Sequence, residues 1–359
     1  MRQFLNRIIG LLGVATLLLA SGCGGGDKPA AKRSEFSIGW SIYAGWMPWP
    51  YAAQAGIVKK WADKYGLKIN VVQVNDYAES VNQFTAGKLD GVTVANMDAL
   101  TIPAAAGKDT SAIIIGDYSN GNDGLVAKGA ASIASLKGKP INLVELSVSH
   151  YLLARALEKA GMAMQDVKTI NTADADIVAA FASPDVQAAV TWNPQLAAIK
   201  AQPGAKLLFS SADIPGEIID LLVVDTATLK ANPNLGKALA GIWYETMALM
   251  QRQDAAGKAA RAAMAQLAGT TPAVFDAQLT TTFLYTDPKA AVAAARSPDL
   301  ITTMNRVRDF SFSRGLFKGA ATPDAVGIGF PGGKTLGDAA RVTLRFDDSY
   351  MRQAADGKL

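Results

Sequence analysis

The sequence predicts an α/β protein of two lobes with a cleft between them, and three observations point to it. Short β-type runs alternate with helical ones from Phe36 onward, and a second set of the same kind begins near Gly124. The apolar run Ile218 to Val224 then reads as a strand returning to the first set. Two crossings between lobes imply a hinge, and clefts between domains are favoured ligand sites.

Phe36 to Trp40 is the first strand candidate. Ala53, Ile57, Trp61 and Tyr65 recur at helical spacing through Pro48 to Tyr65, with Gly66 as the stop. Leu67 to Val74 alternates as a strand, Ala78 to Ala86 is a helix ended by Gly87, and Gly91–Ala95 and Ser111–Ile115 are further strands. The second set holds strands at Leu125–Ala127, Ile141–Val144, Val167–Asn171 and Ala188–Trp192. Its helices are His150–Ala160, closed by Gly161, and a segment through Asp176 to Phe181. After Asn232-Pro233 the chain reads as largely helical, through Leu235–Gln253, Ala255–Leu267, Pro272–Gln278 and Pro298–Ser313. The sheets are expected to be rich in parallel pairs, with residues 36–119 and 216–359 forming lobe 1 and residues 120–215 forming lobe 2.

The N-terminus predicts the compartment. Arg2 and Arg7 precede the apolar segment Ile8 to Ala20, which ends at Ala20-Ser21-Gly22-Cys23. A basic start, a short apolar run and small residues before a break describe a secretory signal peptide over residues 1–22. The run falls short of the ~20 residues that span a bilayer. Cys23 is the only cysteine, so no intramolecular disulfide is possible. Its setting resembles a bacterial lipobox, with Ala20 where a leucine is usual, and lipidation of Cys23 is favoured over ordinary cleavage nearby. Residues 23–34 then read as the anchored cysteine and a flexible tether. The expected location is the periplasm or cell surface, on the membrane through that lipid.

Composition excludes several function classes. Removing residues 1–22 takes away two arginines and leaves 33 basic residues against 31 acids, a charge of about +2. That is too weak a field to suggest a nucleic-acid partner. One histidine, His150, and one cysteine remove most metal sites and nucleophile–base pairs. Neither a metal nor a cofactor is expected, and the chain is expected to act as a monomer and not as an enzyme.

Six segments, in order, resemble the nitrate, sulfonate and taurine solute-binding proteins of ABC uptake transporters. They are Ser41-Ile-Tyr-Ala-Gly-Trp-Met-Pro-Trp49, Phe84-Thr-Ala-Gly-Lys-Leu-Asp90, Gly121-Asn-Asp-Gly-Leu-Val126, Ser135-Leu-Lys-Gly-Lys-Pro140, Ser149-His-Tyr-Leu-Leu153 and Val190-Thr-Trp-Asn-Pro194. The resemblance runs from Phe36 to Arg314. Within the family the chain looks most like the branch associated with urea carboxylase pathways, which implies urea or guanidinium as ligand. It also implies a two-lobe periplasmic-binding fold, type II-like, with the second lobe inserted in the first, and an ABC permease as partner. The same fold occurs in thiamine-pyrimidine synthases, so an enzyme of that kind is the rival reading, and the fold alone does not choose.

Ligands of open α/β sheets bind at the carboxyl ends of strands. Those ends carry Tyr43, Trp46 and Trp49, then Asn96 and Asp98, Asp117 and Tyr118, Glu145 and Ser147, and Trp192, with Asp220 where the chain returns. Carboxylates and aromatics recur there, without arginine or lysine. An anion needs cationic groups or free helix N-terminal amides. A planar guanidinium instead donates paired hydrogen bonds to carboxylates and lies on indole faces. Neutral urea would leave a carboxylate charge unbalanced, so guanidinium is preferred over urea, and both over a sulfonate, taurine or nitrate. Bland readings stand beside these: Trp46, Trp49 and Trp192 as core indoles, Asp98 as the N-cap of a helix starting at Ala99, Asp117 and Asp220 as hinge groups, and His150 as a helix cap. Glu145 interrupts an apolar strand and is the strongest polar candidate.

Overall fold

Two separate sheets organise residues 33–359, the part of the chain that the computed structural model describes. The signal segment, Cys23 and most of the tether lie outside the described residues.

The first sheet has nine strands. Lys68–Gln73, Glu35–Trp40 and Gly91–Ala95 lie side by side and parallel. The core strand Gly91–Ala95 is buried along its whole length, as a sheet covered on both faces requires. Ile219–Asp225 comes next and runs antiparallel to both its neighbours, Gly91–Ala95 and Thr110–Ser119. Beyond lie Val342–Phe346, Gly327–Gly329 and Thr335–Leu336, while Thr282–Leu284 pairs with the far end of Thr110–Ser119. The second sheet orders Lys168–Asn171, Pro140–Leu143, Ala188–Trp192, Asp123–Lys128 and Ala205–Ser210. Its first three strands are parallel, and Asp123–Lys128 is antiparallel to both neighbours. The chain therefore leaves the first sheet between Ser119 and Asp123 and re-enters it between Ser210 and Ile219.

Helices start where sequence supplies caps. Asp76 accepts the Glu79 amide at the head of Tyr77–Thr85, and Ser297 accepts that of Asp299 before Pro298–Ser313. Trp49 does not face the cleft; it stacks on Trp243 at 5.5 Å in the core under the first sheet.

The structure differs from the sequence reading in four elements. Pro48 to Tyr65 is two helices, Pro48–Gln54 and Ile57–Lys64, because Gly56 adopts φ 77° and turns the chain between them. Ala205–Ser210 is a strand marked only by the short apolar run Leu207–Phe209, with Lys206 and Leu207 exposed. The helical C-terminal region is interrupted by three strands between Gly327 and Phe346, anchored where Phe346 stacks on Phe330 at 5.4 Å, before the last helix, Ser349–Ala355. The returning strand is antiparallel, so its beginning, not its end, lies on the edge facing the second sheet.

Candidate functional site

The facing edges of the two sheets enclose a small chamber of about 20 Å³, lined by Tyr43, Trp46, Tyr77, Ala95, Asp123, Val148, Trp192, Ile218 and Asp220. Four aromatic rings form a continuous wall. Tyr43 meets Trp46 edge-on at 4.9 Å, Trp46 lies 5.7 Å from Tyr77, and Tyr77 meets Trp192 edge-on at 5.6 Å. Trp46 arrives through the tight turn Ala44–Trp46 that follows the first strand. Gly45 permits this approach, since a Cβ there would stand 2.5 Å from both Asp117 Oδ2 and the Tyr43 ring.

Strand register supplies the carboxylates. Asp220 pairs directly opposite Asp117, and Asp123 directly opposite Trp192. Asp117 is fully buried and its Oδ1 accepts the Tyr43 hydroxyl at 2.9 Å. Its Oδ2 has no donor unless Asp220 brings a proton. Burial and the repulsion of its neighbours Asp117 and Asp123 push the Asp220 carboxyl well above the usual range, so the pair holds a shared proton on Asp220. Asp123 accepts the Ser119 hydroxyl, and burial raises its carboxyl to about 7. Burial likewise raises Asp98 to about 7, although the Tyr77 hydroxyl donates to its Oδ2 at 2.6 Å. Four buried aspartates thus cluster around the chamber, and no lysine or arginine lines it. A cation inside would offset Asp123 and Asp220, the two of them on its wall.

Contacts between the two halves surround this chamber. Asp98, beside the first sheet, also accepts the backbone amide of Val148, the first residue of the helix Val148–Lys159 packed on the second sheet. The Tyr77 amide meets Asp174 at 3.4 Å. On the returning segment, buried Glu217 accepts hydrogen bonds from Tyr151, Arg155 and Arg306.

Residues 39–268 match the NMT1-like family, well over half of the chain. The chain belongs to the NMT1-like family. A Brucella abortus (strain 2308) protein described as a binding protein is 34% identical over 153 residues, 42% of this chain and 47% of the relative. The chain thus matches about half the length of that curated relative. The structure of the alkanesulfonate-binding protein from Xanthomonas axonopodis pv. citri, bound to MOPS, superposes with TM-score 0.67 at 21% identity, over 80% of this chain and 96% of that one. The nitrate-binding protein of Synechocystis PCC 6803 gives 0.58 at 12% identity, over 91% and 99%. These likenesses establish the periplasmic-binding-protein fold.

On this NMT1-like scaffold, the residues singled out from sequence divide into three groups. Tyr43, Trp46, Trp192 and Asp220 line the chamber, and Asp98 and Asp117 stand in contact with its lining residues. Asn96, Ser147 and Tyr118 have other work. Asn96 bonds the Glu217 carbonyl and the Ile219 amide, Ser147 caps Val148–Lys159, and Tyr118 stacks on Phe283 at 4.7 Å in a groove outside. Glu145 also falls outside the chamber. It faces an open groove and takes the Thr169 hydroxyl, because the helix after Leu143 begins three residues past it and turns the loop away. His150 accepts the Leu146 amide through Nδ1 and does not reach the chamber.

Asp123 and Tyr77 were not anticipated. Asp123 lies within Gly121-Asn-Asp-Gly-Leu-Val126, but on an antiparallel strand the first residue shares the edge with its neighbours' last ones. Tyr77 opens a helix, and nothing in its local sequence distinguishes it from a capping hydrophobe. Among the described residues, no group of three or more His, Cys, Asp or Glu is arranged to hold a metal ion, and no helix is long and apolar enough to cross a membrane.

Proposed function

We propose that the protein is the extracytoplasmic solute-binding component of an ABC uptake transporter and that its solute is a small planar cation, guanidinium in preference to urea. The observation that carries this reading is the chamber wall: an aspartate from each side of the cleft, four aromatic rings, and no basic residue. Asp220 and Trp46 come from the first sheet's side, Asp123 and Trp192 from the second's. A guanidinium between them donates in its own plane to the carboxylates and presents its faces to the rings.

Charge couples binding to closure. Bringing Asp123 and Asp220 together in a dry space without a cation forces protons onto them or repels them. A bound cation removes that cost, so the closed form is favoured by the solute it encloses. The permease would read that closed form, and a lipid on Cys23 would hold the protein at the membrane beside it. The proteins of known fold likeness are described as binding alkanesulfonate and nitrate, which are anions. An anion in this chamber would face Asp123 and Asp220 with no cation to offset them, and the chamber offers no histidine or cysteine for the rival enzymatic reading.

Tryptophan fluorescence tests the reading, because Trp46 and Trp192 line the chamber. Guanidinium is expected to change the emission saturably, urea to do so at least about tenfold more weakly, and taurine and nitrate to leave it flat. Saturable response to taurine or nitrate alone would overturn the assignment.

A further inference from the structure

The helix Val148–Lys159 opens on the cleft, and its first turn holds no acidic residue of its own. Ser147 takes the Ser149 amide at 3.1 Å, while the Val148 amide points to Asp98 Oδ2 at 3.3 Å, from the opposite side of the cleft. Free amides and the helix dipole make such a terminus a ready anion site. Here the anion is already present. Asp98 is completely buried, its Oδ2 is shared between the Tyr77 hydroxyl and that amide, and its Oδ1 has no donor. A buried carboxylate oxygen left unpaired is costly, and Asp98 does not line the chamber where a solute could offset it.

We infer that Asp98 is a specificity residue acting as a tethered anion: it occupies the N-terminus of Val148–Lys159, denies that terminus to anionic solutes, and ties the two halves together when they close. A single carboxylate thereby does what a bound anion would do in a protein that took one. Selection for a cation then has two parts, attraction by Asp123 and Asp220 and occupation of a helix terminus that opens on the cleft. Removing the Asp98 side chain vacates that terminus and frees the Val148 amide.

The test is Asp98→Ala at pH 8, with thermal melting followed as sodium formate or nitrate is added against matched sodium chloride. Formate, which carries the missing carboxylate, is expected to raise the melting temperature of the variant saturably, with half-effect at roughly millimolar concentration. Wild type, its terminus filled, should show at least about tenfold weaker response. Nitrate should bind the variant and not wild type. A folded variant indifferent to both anions, or wild type responding equally, overturns the inference. Asp98→Ser, which keeps a hydroxyl for Tyr77, is read in the same way should the alanine variant fail to fold. None of these measurements involves guanidinium, so failure of the cation assignment and failure of this inference are separately visible.

Discussion

Asp123→Asn and Asp220→Asn are each expected to weaken guanidinium binding by about a hundredfold, while Glu145→Gln leaves it within about threefold. Each asparagine keeps the shape of the side chain and removes its charge. Losing one partner of a desolvated charge pair costs about 2–5 kcal/mol, and each 1.4 kcal/mol is tenfold in affinity. Asp123 and Asp220 are the acidic residues on the chamber wall, and both are buried. Glu145 is partly exposed, hydrogen-bonded to Thr169, and outside the chamber, so a charge lost there is screened by water. Calorimetric titration of the three variants decides the matter. Wild-type affinity in either aspartate variant would remove that residue from the site.

Guanidinium binding is expected to tighten from pH 5 to pH 8, while the ligand-free protein becomes less stable over the same range. The sign follows from where the protons sit. Asp98 and Asp123 titrate at about 7 and Asp174 at about 6, all raised by burial from an unfolded value of 3.8. Asp117 and Asp220 are raised by burial too, and Asp220 further by the charges of Asp117 and Asp123. Between about pH 4 and 7 the folded chain therefore holds more protons than the unfolded one. Stability from these groups is full below the unfolded pKa and lost as pH rises through 7. His150, lowered by burial, acts in the opposite sense near pH 6, but it is one group against five. Carboxyls held low, such as Asp225, act only below about pH 4. A cation must displace the protons on Asp123 and Asp220, so it binds better once they have left. Melting temperature without ligand should fall from pH 5 to 8 as the stabilisation by guanidinium grows. Calorimetry at pH 6.5 should show proton release as a dependence of the enthalpy on the buffer. Affinity that stays level across this range would contradict displacement.

Much of the fold was legible because it is written in local signals. Alternating apolar runs, capping aspartates and serines, and glycines such as Gly66, Gly87 and Gly161 at positive φ mark most of the elements through Asn171. Two C-terminal strands escaped, Gly327–Gly329 and Thr335–Leu336, because they are two or three residues long and take their stability from neighbours rather than from a pattern of their own. The chamber was legible in part of its membership: Tyr43, Trp46, Trp192 and Asp220, named from strand ends and the returning strand, line it. A glutamate after an apolar strand looks costly, which singles out Glu145 in the sequence, yet a loop that turns outward makes it inexpensive. Asp123 is hidden in the sequence because strand direction decides which end of a strand faces the cleft, and direction is set by partners distant in sequence. Asp98 reads equally as the cap of its own helix and as a ligand contact, and in the structure it meets the helix of the opposite side, a long-range contact that no local pattern encodes.

The proposed cation site makes one plain demand of the molecule in solution. Isothermal titration of the protein at pH 8 with guanidinium, with taurine and nitrate as competitors, should give one saturable guanidinium site that neither anion displaces. Displacement of guanidinium by taurine or nitrate, or heat from those anions with none from guanidinium, would contradict it.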